Sequence, residues 1–203
     1  MTLRRGQPWG APGALPADGV VIHSNEEAHR VITEARRAGR DIPVLGVLGG
    51  DLCRTLGGTG DQRRLLGPDA MTFDIDLGSA LLDGRQHWFL AHLVARRRCW
   101  LGRAFVAMNA QWLGPWDLGP RSHPNDGLLD VTDGSLPVSD LLQARRRART
   151  GTHLPHPGLT ERRVAAMQET FDPPLRVTLD GVAQGRVRNL SVRVEPDAVR
   201  VVV

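Results

Sequence analysis

The sequence predicts an α+β protein in which a small α/β segment precedes a large antiparallel β body. Three observations carry that reading. Val20–Ile22, an amphipathic stretch opening at Ser24 and the apolar run Ile42–Leu48 follow as strand, helix and strand, the order of a βαβ unit with a parallel pair. Beyond residue 70 the texture changes to short strand-like segments punctuated by glycine and proline. Near the end, Leu175, Val177 and Leu179, then Leu190, Val192 and Val194, alternate with other residues. Half-buried antiparallel strands of a sandwich or barrel show that alternation.

Residues 1–19 are rich in proline and glycine without periodicity, which predicts a flexible or extended arm. Ser24-Asn-Glu-Glu27 then has the Ser-x-x-Glu form of a capping box. Ala28, Val31, Ile32 and Ala35 recur at helical spacing, and Gly39 closes the helix. The second strand runs into Gly49-Gly-Asp51, ahead of a helix start, where a phosphate-facing loop and a plain connecting turn are both open readings. Glycine and arginine crowd together at Gly57–Gly67, so the chain divides into an arm (1–19), an α/β segment (20–60) and a β-rich domain (61–203). Within the last, strands are predicted around Phe73–Leu77, His87–Val94, Ala104–Asn109, Trp116–Leu118, Leu128–Val131 and Ala198–Val203. A helix interrupts them at Pro137–Ala148, with Val138, Leu141 and Leu142 on one face and arginines on the other.

Composition narrows the function. At 203 residues, 41% hydrophobic and 24% charged, the chain is of globular type. It has no apolar run long enough to span a bilayer, and its start lacks the apolar core of a secretory signal. A cytoplasmic location is expected. All 26 basic residues are arginine, against 22 acidic ones. Arginine is the better bidentate phosphate ligand, so anionic partners fit. The excess is too small and too spread for nucleic acid, and five Trp without a Tyr supply few stacking platforms. Cys53 and Cys99 have no CxxC spacing and read as ordinary thiols.

The densest local signal is Gly119–Val131. Asn125-Asp-Gly127 is a turn signal feeding the Leu128–Val131 strand. Asp126 on such a turn, with carbonyls beside it, suits a hard cation; a plain hairpin turn with an exposed Asp is the reading the spacing alone favours. Arg96–Arg98 and Arg145–Arg149 read as solvated faces that also suit phospholipid head groups.

Several stretches, in one order, resemble the diacylglycerol kinase and sphingosine kinase-like lipid kinases. Ser122–Val131 is similar to the segment in their β-sandwich half, and Pro43–Gly57 to their second glycine turn. Phe105–Gly114 with Asn109, Thr150–His153, Leu179-Asp-Gly181 and Glu195–Val203 resemble later motifs. The resemblance implies a residual Rossmann-like segment before an antiparallel β-sandwich of the NAD kinase/diacylglycerol kinase-like type. It also implies ATP at the glycine turn (Gly49, Gly50, Asp51) and a structural magnesium held by Asp126 with the carbonyls of His123 and Leu128. The catalytic glutamate of the relatives falls on Val182, leaving Asp180 as the carboxylate that stands in. Their Gly-Gly-Asp-Gly-Thr turn falls on His23–Glu27, which has no glycine and two glutamates. The expectation is a lipid- or ligand-binding module or pseudokinase. Its partners would be a lipid or other anionic small molecule, the inner face of an anionic membrane, and a second copy or partner subunit. An active lipid kinase and a structural subunit are the alternatives.

Overall fold

The structure, a computed structural model, describes residues 9–203. Their strands are β1 (Ala11–Pro12), β2 (Val20–Ile22), β3 (Leu45–Val47), β4 (Met71–Leu82), β5 (Arg85–Phe89), β6 (His92–Arg96), β7 (Gly102–Met108), β8 (Trp112–Leu113), β9 (Trp116–Asp117), β10 (Leu129–Leu136), β11 (Leu159–Val164), β12 (Ala166–Leu179) and β13 (Val182–Val202). The helices are α1 (Asn25–Arg37), α2 (Gly50–Thr55), α3 (Gln62–Leu65) and α4 (Val138–Ala148). The molecule is therefore mixed α+β with a large, mainly antiparallel sheet. None of the helices is long and apolar enough to cross a membrane.

The α/β segment forms as its pattern dictates. Ser24 caps α1, its hydroxyl accepting the Glu27 N–H at 3.2 Å. Glu27 folds back one residue further than a capping box requires and accepts the His23 N–H at 2.7 Å. Ala28, Ile32 and Ala35 are buried, and Gly39 ends the helix with φ +63°. β2 and β3 pair in parallel, and β3 then pairs in parallel with Val201–Val202 of β13. The α/β segment and the β body thus share one sheet.

That sheet runs β1-β4-β13-β12-β6-β7-β10-β11, with β5 beside β4 and β2–β3 joined at β13. Its two longest strands slip register between Thr170 and Leu175 and between Glu195 and Val199. Pro173, Pro174 and Pro196 lie in those gaps, where a residue without an N–H cannot continue a ladder. The bends let seven strands close around one core containing Phe89, Leu93, Phe105, Phe171, Leu179 and Leu190. A second core, with Ile32, Leu45, Leu52, Ile75, Leu77 and Val201, lies under α1 and α2.

Two segments carry detail that their patterns leave open. Residues 1–8 lie outside the described residues, but 9–19 do not form a free arm. β1 pairs with Thr72 and Met71, the Leu15 N–H reaches the Leu65 carbonyl at 2.7 Å, and Trp9 packs on Phe73 and His123. Nor does α4 bury its whole apolar face. Leu141 faces the sheet, but Val138 and Leu142 are 67% and 63% exposed.

Candidate functional site

The chain brings together three loops that lie far apart in sequence: the α1 start, the glycine turn opening α2, and the β12–β13 turn at Asp180. Asp51 joins the first two to His92, and His92 meets Asp180. Asp51 Oδ2 lies 2.9 Å from Nε2 of His92 and accepts from Asn25 Nδ2 at 2.8 Å. Its Oδ1 accepts the Gly114 N–H at 2.9 Å, and its own N–H donates to Asn25 Oδ1 at 3.0 Å. Gly49 and Gly50 are required there by packing. A Cβ on Gly49 would stand 2.3 Å from the His23 carbonyl oxygen, and one on Gly50, whose φ is +89°, would stand 2.4 Å from Asn25 Oδ1. The close approach that glycine permits is used by the chain's own 23–25 loop.

Asp180 is fully buried. Its carboxylate accepts the N–H groups of Leu90 (2.6 Å), Ala91 (2.8 Å) and His92 (3.0 Å). Its backbone takes φ +51°, and its N–H returns to the His92 carbonyl. Burial pushes its carboxyl pKa up, opposed by His92 and the three N–H donors. For His92, burial acts downward, but the bond to Asp51 and the charges of Asp180 and Asp51 outweigh it and raise the pKa. His29, also buried, places Nδ1 4.0 Å from Asp180 Oδ2. The cluster sets the Asp51 and Asp180 carboxylates close to the His92 and His29 imidazoles. Among the described residues no hydroxyl is hydrogen-bonded to the His92 ring, and Thr55 Oγ1 donates to the Asp51 carbonyl.

The residues present do not fit nucleotide phosphates at this turn. The Asp51 amide is capped by Asn25, the Asp51 carboxylate fills the space in front of it, and Glu26 lies against Gly181. The turn at 125–127 lies elsewhere and is closed from within. Asp76, buried in β4, accepts the Gly127 N–H at 2.6 Å and the Asp197 N–H at 3.0 Å. Asn125 Nδ2 donates to the Asp74 carbonyl and to Asp197 Oδ1. Asp126 Oδ1 accepts the Leu128 N–H at 3.0 Å and its Oδ2 accepts from the Arg163 guanidinium, which also donates to Asp130 at 2.9 Å. Its carboxylate is thus already matched by a cation, and among the described residues no cluster of three or more His, Cys, Asp or Glu side chains suits a metal. His123, Asp126 and Leu128 do not fit a magnesium ion as they stand.

Between α4 and the outer face of β7 and β10 lies a cavity of about 100 Å³, open on one side. Its walls are almost wholly apolar and include Trp100, Val106, Trp116, Leu118, Leu141 and Ala148. His153 is buried in its wall with Nδ1 unpartnered, and burial lowers its pKa. The β8–β9 hairpin links the two regions. Its tip, Gly114, binds Asp51 and Arg54, while its Trp116 lines the cavity.

No protein-family model matches the sequence, and no curated protein does. Solved structures do match. A protein from Bacillus anthracis str. Sterne provisionally named a diacylglycerol kinase superposes with a TM-score of 0.69 at 12% identity, over 91% of this chain and 77% of that one. The chain has the diacylglycerol kinase-like fold. A second structure under that name from the same strain gives 0.66 at 12% identity over 91% and 77%, and a third 0.61 at 12% over 91% and 75%. Identity this low shows the diacylglycerol kinase-like fold alone, and the chemistry must be argued from the residues.

Proposed function

We propose that this chain is a lipid- or apolar-ligand-binding module on the diacylglycerol kinase-like fold, and that it does not move phosphate. The cavity under α4 carries the reading. Its lining is almost wholly apolar and it opens on one side, and a chain or ring of carbon is the occupant such walls favour. The filled glycine turn supports the second half of the proposal: Asn25 and the Asp51 carboxylate hold the positions a phosphate would need. The Asp126 turn, closed by Arg163, needs no ion in this reading.

One observation favours the runner-up, transfer of the ATP γ-phosphate to a lipid hydroxyl. The hairpin that binds Asp51 also walls the cavity, so a bound chain would end near a carboxylate. A fluorescent fatty acid and a thermal shift with Mg-ATP separate the two. The proposal expects saturable binding of the fatty acid, at least tenfold weaker in Ala144→Trp with its melting temperature kept, and no shift with millimolar Mg-ATP. Nucleotide at 100 times its dissociation constant would add about 2.7 kcal/mol. Such a shift would favour the kinase, and fatty-acid binding unchanged by Ala144→Trp would remove the cavity from the argument.

A further inference from the structure

On the outer face of the sheet, Arg96 of β6, Arg176 of β12 and Arg186 of β13 stand directly opposite one another across three adjacent strands. Arg176 and Arg186 are exposed and Arg96 half-exposed. Among the described residues none of the three is paired with a carboxylate, although eleven other arginine–acid or histidine–acid pairs form along the sheet and its helices, Arg103 with Asp133 and Glu169 among them. Like charges placed opposite each other on neighbouring strands destabilise a sheet. Folding therefore gains nothing from this row, and an anion outside the molecule is what would relieve it.

The surroundings say what kind of anion. Arg98 and Trp100 border the same hollow, and the Arg96 guanidinium lies 4.9 Å from the Trp100 ring centre. Next to them Leu101 is 45% exposed. Arg145 of α4 donates to the Cys99 carbonyl at 3.1 Å, and Val138 and Leu142 share its helical ridge at i−7 and i−3. Those two are the most exposed of the large apolar side chains on α4. One face therefore presents a row of unpaired guanidiniums flanked by bare aliphatic side chains. A free phosphate would leave those side chains in water, and a nucleic acid offers them nothing apolar. A bilayer surface answers both.

We propose that this face docks on a membrane bearing anionic phosphate head groups. Arg96, Arg176 and Arg186 contact the head groups, and Leu101, Val138 and Leu142 enter the interface. The inference stands on the arginine row and not on the cavity, so an empty cavity leaves it intact.

The test is cosedimentation of the full chain with vesicles, either pure phosphatidylcholine or with a one-third share of phosphatidylglycerol. Binding is expected only to the anionic vesicles and weakens as salt rises. Arg176→Gln with Arg186→Gln weakens it about fivefold for each arginine removed, while the melting temperature holds or rises because repulsion is relieved. Leu142→Ser weakens it without changing the salt dependence. A control with Arg30→Gln and Arg85→Gln, on α1 and β5, binds as the parent does. Equal binding to neutral vesicles, no binding, or parent-like binding by the row variant overturns the proposal. So does full competition by inorganic phosphate at matched ionic strength, or tighter binding to an oligonucleotide. Should the row variant fold poorly, Leu142→Ser with the salt series decides alone.

Discussion

The main chain of His92 holds Asp180 at both ends: the His92 N–H donates to the Asp180 carboxylate at 3.0 Å, and the His92 carbonyl accepts the Asp180 N–H at 2.9 Å. Two further N–H groups complete the cage around that carboxylate. Asp180 consequently holds the β5–β6 junction in place. Asp180→Ala would strand three buried donors, each costing about 1–3 kcal/mol, and is expected to lower stability by several kcal/mol in denaturant titration. Asp180→Asn keeps one acceptor oxygen and tolerates the positive φ, so it should cost less. A residue acting as a catalytic base would show the reverse, with stability kept and any transfer activity lost in Asp180→Asn.

The His92–Asp51 pair gives a pH signature. The folded His92 pKa is raised above its ordinary 6.5, so its contribution to stability is complete below that value and is lost as pH rises through the folded pKa. Asp180, also raised, acts with the same sign from its own ordinary 3.8 upward. His87 and His153, lowered by burial, act with the opposite sign. The quantity to measure is therefore the difference between the parent and His92→Gln. The parent's advantage should be largest in mild acid and shrink above neutrality; a constant gap across that window would show that His92 is not charged in the fold.

Arg163 sits between Asp126 and Asp130. Parent melting temperatures are expected to be equal with magnesium and with chelator. Arg163→Met removes a pair that is partly exposed, so the loss should be only about 1 kcal/mol, but it leaves two carboxylates side by side. That variant alone should gain stability with magnesium. A magnesium-dependent gain in the parent would restore the ion to the turn.

Gly50→Ala places a Cβ at φ +89° and 2.4 Å from Asn25 Oδ1. Strain of this kind costs about 1–3 kcal/mol. Combining it with Asn25→Ala should recover part of that loss, because the clash goes with the side chain. Full additivity in a double-mutant cycle would mean that backbone strain, and not contact with Asn25, sets the need for glycine.

Local pattern made much of the fold legible. The Ser24 cap, the parallel strands around α1, the alternation at 175–179 and 190–194 and the helix at 138–148 all rest on spacing within one element. The Asn125–Gly127 turn was legible for the same reason. The site was not, because its bonds join residues far apart: Asn25 to Asp51, Asp51 to His92, His92 to Asp180. Nothing near His92 in sequence announces a buried imidazole with a carboxylate on either side. The one available signal was the loss of glycine from 23–27, which foretold that a side chain would fill the turn. Asp76, an acid in the middle of an apolar strand, was the corresponding hint at the other turn. Likewise, α4 reads as amphipathic whether its apolar ridge meets a sheet or stands bare.

The parallel pairing of Val201–Val202 with Leu45–Gly46 also sets an order of events during synthesis. β2, α1 and β3 are made well before β13, which covers the open edge of β3 and is the last of the described strands. Until then that edge offers unpaired N–H and carbonyl groups beside the apolar residues meant for the core under α1. A chain stalled or truncated shortly before residue 199 should therefore be held by chaperones or aggregate rather than fold in part.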